Sequence, residues 1–243
     1  MSRLQLLLLV LLGAVFGAGG MWLAERAAPG DLSGADQARI ERVVHDYVLA
    51  NPELIPQAMQ RLQERESGQA IAADRSRIET PYAGAVMGNP DGDVTLVEFF
   101  DYNCGYCRAS LPVIEQLVKA DPKLRVVFRE LPILAEESRD AARASLAAAA
   151  QGKFLPFHNA LYAAGPVSAQ SIAAAARTAG VDLSRIPEDA DTEIAGNIGL
   201  ANKLGISGTP AWVVGNRVLS GALPLDRLQE AVAAARARGA DQG

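Results

Sequence analysis

The sequence predicts an α/β fold built on a mixed sheet, and three runs of residues carry that reading. Val94 to Phe100 is an apolar, β-branched and aromatic run that leads straight into a helical pattern. Lys123 to Leu131 is a second such run beyond that helix. Ala211 to Val214 and Arg217 to Ser220 flank Gly215-Asn216, which reads as a tight hairpin with an amphipathic helix behind it. Strand, helix, strand, a long helical stretch, hairpin and helix make the expected layout.

The elements follow in order from the amino terminus. Residues 4–23 are apolar apart from Gln5, and as a helix they would rise about 30 Å, enough to cross a bilayer. The length points to a signal-anchor over residues 1–24. Gly17-Ala18-Gly19 offers the small residues of a cleavage site, so a removed signal peptide is the alternative. Arg3 and the free amino group precede the span, which orients the rest of the chain out of the cytoplasm. Either outcome places the protein in the periplasm, anchored in the inner membrane or soluble.

Residues 25–85 form an N-terminal helical region and linker. Residues 29–34 are a Pro/Gly spacer, after which Ile40, Val43, Val44, Tyr47 and Val48 repeat at helical spacing. Asn51-Pro52-Glu53 reads as a stop followed by a new start, with Asn51 as the N-cap of a second helix. Ile55, Met59 and Leu62 continue the apolar stripe into a charged stretch up to Arg77. Two such helices either fold back on the main domain or self-associate, so residues 36–77 are a candidate homo-oligomer interface. Residues 80–93, rich in Pro, Gly, Asn and Asp, read as linker and turn.

Residues 86–243 form the main domain. The helix that opens at Cys104 is expected to reach Ala120 with a kink at Pro112. An alanine-rich insert of helices, about residues 135–205, is punctuated at Gly152, Gly165-Pro166, Gly180 and Pro187. Pro224 opens the final helix.

The two cysteines of the chain stand together as Cys104-Gly105-Tyr106-Cys107. At a helix start, unpaired backbone N–H groups and the helix dipole favour the thiolate of the first cysteine. The second thiol lies one turn along, within reach for a small disulfide. As a structural bridge the pair would constrain almost no chain entropy, because stabilisation grows with loop length. A zinc site needs about four ligands, and the other candidates, His45 and His158, are far apart in sequence. The pattern therefore points to thiol–disulfide exchange. A net charge of −5 and a pI near 5.2 leave no basic stripe for nucleic acid.

The stretch from Glu98 to Cys107, the helical insert and Gly205-Ile206-Ser207-Gly208-Thr209-Pro210-Ala211 before a hairpin resemble the DsbA-like thioredoxin-fold oxidoreductases. The resemblance runs from about Pro90 to the C-terminus. The stretch from Ile40 to Glu53 is similar to the extra helices of the ScsC-like branch, members of which can oligomerise. The resemblance implies a thioredoxin-like sheet with an inserted helical subdomain. It implies Cys104 as the attacking, partly exposed thiol and Cys107 as the buried resolving thiol. It makes Thr209-Pro210 a cis-proline loop that meets an extended substrate, and gives Glu98 proton transfer to the resolving thiol. For Glu98 a raised pKa inside a hydrophobic strand fits that task, whereas alternation would turn it to solvent or a salt bridge. Asp101 and Tyr102 shape the preceding loop. His158 reads as a packed histidine and His45 as a surface one.

Gly105-Tyr106 replaces the Pro-His pair of strong oxidases in the family, and a neutral Tyr106 withdraws one stabiliser of the thiolate. The inference is a less oxidising disulfide, suited to an isomerase or reductase, with a DsbA-type oxidase as the alternative. No cofactor is expected beyond the Cys104–Cys107 disulfide. The expected partners are cysteine-containing exported proteins and a membrane redox protein, with no nucleic acid. Thiol-based copper or zinc binding is the remoter reading.

Overall fold

The computed structural model describes residues 33–240. The candidate anchor at residues 4–23, its cleavage alternative and most of the spacer after it lie outside the described residues. By its contacts the chain divides into two units, between Ala58 and Met59.

In the first unit, α1 (Gly34–Ala50) is capped by Ser33, whose hydroxyl accepts a bond from the Asp36 N–H. Asn51 closes this helix: its backbone N–H and its Nδ2 both bond the Tyr47 carbonyl. This corrects the expectation that Asn51 caps the next helix. α2 (Leu54–Glu79) starts three residues on, after a turn in which the Leu54 N–H meets the Asn51 carbonyl. Ile40, Val43, Val44 and Tyr47 of α1 are exposed.

The second unit is a five-stranded sheet in the order β1-β3-β2-β4-β5. The strands are β1 (Val86–Gly88), β2 (Val94–Phe100), β3 (Leu124–Glu130), β4 (Ala211–Val214) and β5 (Arg217–Ser220). β2 and β3 run parallel, joined across α3 (Gly105–Ala120), and the other pairings are antiparallel. β1 was expected as linker. Its three residues pair with Val127, Val126 and Arg125 of β3, so the signal lies in a partner about 40 residues away rather than in the local sequence. Gly92 lies where β2 begins against β3, and a Cβ there would stand 2.6 Å from the Lys123 carbonyl oxygen.

The helical insert consists of α4 (Glu136–Ala150), α5 (Phe154–Ala163), α6 (Ala169–Ala179) and α7 (Ala190–Lys203), and α8 (Leu225–Ala240) ends the domain. One face of the sheet, with Leu96, Phe100, Phe128 and Trp212, packs into a core shared with α3, α8 and the first three insert helices. The other face, with Val97, Phe99, Val127 and Val213, is covered by Leu200 of α7, by Leu204 just after it and by Ile71 and Ile78 of α2. Every residue of β2 is therefore buried, which is why the strand reads as a continuous apolar run.

Arg129 fixes the end of α2 to this second face. Its guanidinium donates to the carbonyls of Ile78 (2.8 Å), Thr80 (2.7 Å) and Arg77, to Glu193 Oε1 (3.0 Å) and to Asn197 Oδ1 (2.7 Å). All five N–H groups are used, and three of them satisfy carbonyls at the C-terminus of α2, where a cation is also favoured by the helix dipole. The charged C-terminal part of α2 thus belongs to the core unit. α3 runs through Pro112 as one helix, leaving the Arg108 carbonyl without its usual donor.

Candidate active site

The site forms where three local structures converge at the C-terminal end of β2. The first is the turn from Asp101 to Cys104. Asp101, buried, accepts four bonds. Oδ1 takes the Asn103 N–H (2.8 Å) and the Ser138 hydroxyl (2.7 Å), and Oδ2 takes the N–H groups of Ile133 and Leu134, both at 2.9 Å. Its backbone carbonyl accepts the Cys104 N–H at 2.9 Å and the Tyr162 hydroxyl at 3.0 Å. One carboxylate thus ties the turn to the strand β3 exit and to α4. The sequence named Asp101 as a loop shaper without showing how, because three of its four partners lie more than 30 residues away.

The second structure is the start of α3, where Cys104 is itself the N-cap. It has extended backbone angles, φ −82° and ψ 112°, and its Sγ accepts the Cys107 N–H at 3.3 Å. A sulfur here occupies the place that Ser, Asp or Asn usually takes, facing the free N–H groups of the first turn. Both cysteines are free thiols. Cys104 is 5% exposed, so the expectation of a partly exposed attacking thiol needs correction: the thiol is recessed, and Cys107 at 1% is buried deeper still. The neighbouring Tyr106 ring is exposed. Burial, with the Glu98 charge second, pushes the Cys107 thiol well above its ordinary value.

The third structure is the loop before β4. Ala211 pairs with Phe99, which brings Thr209 and Pro210 beside the cysteine turn. The Thr209–Pro210 peptide is cis, and the Cys104 thiol donates to the Thr209 carbonyl at 3.2 Å. The sulfur of Cys104 is thereby held between a helix N-terminus and a proline loop.

Glu98 lies beneath. It pairs with Phe128 and Trp212 in the sheet and shares the face of Leu96 and Phe100, the face that also packs against α3. It is buried, and its Oε2 has no hydrogen-bond partner among the described residues. Burial, reinforced by the Cys104 charge, raises its pKa to about 8. Of the two readings of this residue, the buried one is correct, because the strand is covered on both faces and alternation carries no information.

His158 is enclosed by Phe100, Tyr102, Phe128, Phe154 and Tyr162, and burial lowers its pKa to about 3. It is a packed neutral histidine, as expected. His45 lies exposed on α1. Among the described residues no group of three or more His, Cys, Asp or Glu side chains is placed to hold a metal ion.

Residues 95–233 match the family described as DSBA-like thioredoxin domain, and residues 36–69 match the N-terminal domain of copper resistance protein ScsC. A linker-deletion variant of Proteus mirabilis ScsC is 28% identical, covers 87% of this chain and 100% of its own, and superposes with a TM-score of 0.67. A thioredoxin-like oxidoreductase from Silicibacter pomeroyi is 44% identical over 67% of this chain and 97% of its own, with a TM-score of 0.64. Among curated proteins, the Na(+)/H(+) antiporter NhaA 1 of Salinispora arenicola is 32% identical over 158 residues, 62% of this chain. The chain spans about a quarter of that antiporter's length, 24%.

Proposed function

The chain belongs to the DsbA-like thioredoxin-domain family of thiol–disulfide oxidoreductases, and we propose that it acts in the periplasm as an isomerase or reductase of protein disulfides. The single observation that carries the exchange reading is the setting of the Cys104 sulfur. It accepts the Cys107 N–H at 3.3 Å and faces the Thr209 carbonyl at 3.2 Å. A thiolate at this point keeps its N–H partner, and the backbone of the proline loop is available to an extended client whatever its sequence.

In the reducing direction, the Cys104 thiolate attacks one sulfur of a client disulfide and releases the other as a client thiolate. Cys107 then attacks the Cys104 sulfur of the mixed disulfide, and the second client thiolate leaves. The Cys107 thiol is held protonated by burial, so its proton must pass to a base as the bond forms. Glu98 takes that part: it is buried beside the pair, and its pKa of about 8 lets it gain or lose a proton near neutrality. In isomerisation the first client thiolate attacks a different client disulfide. The thiolate this releases attacks the client sulfur bonded to Cys104, forming the new client disulfide and expelling the Cys104 thiolate.

Two features support the reducing or isomerising direction over a strong oxidase. Tyr106 is a neutral, exposed ring where a histidine would stabilise the thiolate and make the disulfide more oxidising. The exposed row Ile40, Val43, Val44 and Tyr47 on α1 offers a second copy of this chain an apolar helix face. Several sites held around one misfolded client raise the effective concentration of the second encounter. Residues 4–23 supply the export signal, as anchor or cleaved peptide.

The experiment is to equilibrate the intact exported chain with glutathione mixtures and to assay refolding of a scrambled multi-disulfide substrate. The isomerase reading expects the pair to become half reduced only in a more reducing glutathione mixture than a strong oxidase needs, with recovery of the native substrate. A pair that becomes reduced only at strongly reducing poise, with no recovery of scrambled substrate, leaves a reductase. A strongly oxidising pair without isomerisation would establish the DsbA-type oxidase instead. Copper binding through the two thiols is a second reading, favoured by the match of residues 36–69 to a domain named for copper resistance. Stoichiometric Cu(I) retained by the reduced chain would support it.

A further inference from the structure

A second buried acid lies behind the cysteine turn, and the exchange chemistry above does not use it. Glu130 ends β3, pairs with Phe100 in the sheet and is 2% exposed. Its Oε1 accepts the Ser145 hydroxyl of α4 at 2.7 Å, while its Oε2 has no partner among the described residues. The Ser145 oxygen accepts the Tyr102 hydroxyl at 2.9 Å, and the Tyr102 oxygen lies 3.1 Å from Nδ1 of His158 on α5. Ser145 and His158 are as deeply buried as Glu130.

The hydrogens of this chain can be assigned by counting donors. A carboxylate has none to give, so Ser145 donates to Glu130. The Ser145 oxygen then accepts from Tyr102, and with the Tyr102 proton spent, its oxygen accepts from an N–H at His158 Nδ1. A neutral imidazole with its proton on Nδ1 leaves Nε2 as a bare acceptor, which is the unpartnered buried atom found there. Every proton is thus directed toward Glu130. Bonds to an ionised carboxylate are roughly twice as strong as neutral ones, so the charge on Glu130 decides how firmly the chain is drawn.

The chain reaches the reacting atoms through the backbone. Tyr102 stands two residues before Cys104. Its ring packs on Tyr162 at 4.9 Å between centroids, and Tyr162 donates to the Asp101 carbonyl that also accepts the Cys104 N–H. The turn is therefore tied to the helical insert from Asp101 to Ser138 and Tyr162 and from Tyr102 to Ser145 and His158, and Ser145 carries the Tyr102 tie on to Glu130 of β3.

We infer that Tyr102 is a positioning residue of the exchange site and that the ionisation of Glu130 sets how firmly it holds the turn carrying Cys104. The inference rests on Cys104 being the exchanging thiol. The groups that bear on Glu130 are Ser145 of α4, Tyr102 of the turn, His158 of α5 through the chain, Arg129 on its own strand and Glu193 of α7. Burial dominates, Glu193 and Arg129 act in opposite directions, and the carboxyl titrates at about 7. Glu98 acts on the same chain through Tyr102.

The test is the rate of Cys104 alkylation by iodoacetamide in the reduced full-length chain, read site by site by mass spectrometry from pH 5 to 9. The wild type is expected to show a step of about threefold centred near pH 7 on top of the thiolate titration, the size expected for one strengthened hydrogen bond. Glu130→Gln and Tyr102→Phe should both erase the step. A step that survives both variants, or a wild type without one, overturns the inference. Should the variants fail to fold, a carbon-13 titration of the Glu130 carboxyl in the wild type decides: different midpoints in the reduced and disulfide forms are expected, and coincident midpoints overturn it. Preferential alkylation of Cys107 would instead refute the assignment of Cys104 as the exchanging thiol, a failure distinct from loss of the step.

Discussion

Replacing Glu98 with glutamine should make the pH dependence of stability flatter, by an amount that follows from its burial. In the unfolded chain this carboxyl has a pKa of 4.5, and in the folded, reduced protein about 8. Between these values the native state holds a proton that the unfolded state has lost, so wild-type stability falls as pH rises. The contribution is fully present below pH 4.5 and is lost as pH passes 8. At about 1.4 kcal/mol per pH unit, the wild type loses about 3 kcal/mol relative to Glu98→Gln by pH 7 and about 5 kcal/mol above pH 8. Glu130 and His158 titrate in both proteins and cancel in the difference. Urea unfolding followed by circular dichroism under a phosphine reductant, at half-unit pH steps, measures it. A stability difference between the two proteins that does not change with pH would refute a buried, protonated Glu98.

Three further outcomes follow from the contacts. Arg129→Met removes five hydrogen bonds and leaves buried carbonyls and Glu193 without a donor, so urea titration should show a loss of about 3–5 kcal/mol, with faster proteolysis near the C-terminus of α2. Asp101→Asn sets an NH₂ group against N–H donors and should cost about 3 kcal/mol by the same measurement; no change in midpoint would show that the turn does not depend on the carboxylate. Val43→Glu with Tyr47→Glu should convert an oligomeric exported chain to a monomer in sedimentation velocity while leaving thiol reactivity intact, and a wild-type monomer would remove the isomerase argument from this surface.

What could be read in the sequence was what depends on neighbours in the chain. The Cys-x-x-Cys turn, the strand before it and the Gly215-Asn216 hairpin are local patterns, and Gly215 has the positive φ, 58°, that such a turn asks for. Parts built from distant partners were illegible. β1 exists because Val86 meets Val127, and the hold on α2 exists because Arg129, a charged residue in an apolar strand, meets carbonyls some 50 residues upstream. Asn51 was misread because the same side chain that caps a following helix can bond back to the preceding one, and here it reaches the Tyr47 carbonyl. Glu98 could not be oriented from period-2 alternation, which fails on a strand covered on both faces. Glu130 carried no sequence signal at all. Its one partner, Ser145, and the Tyr102 and His158 that continue the chain come from three separate parts of the sequence.

The most direct test of the account is to find which cysteine forms the bond with a client. Cys107→Ser, mixed with a reduced-and-reoxidised multi-disulfide protein and quenched in acid, should accumulate mixed disulfides, and peptide mapping should find every one at Cys104. Cys104→Ser should accumulate none, because the remaining thiol is buried beneath the helix start and kept protonated. Client complexes that form through Cys107, and not through Cys104, would contradict the reading of the helix-capping sulfur as the exchanging atom.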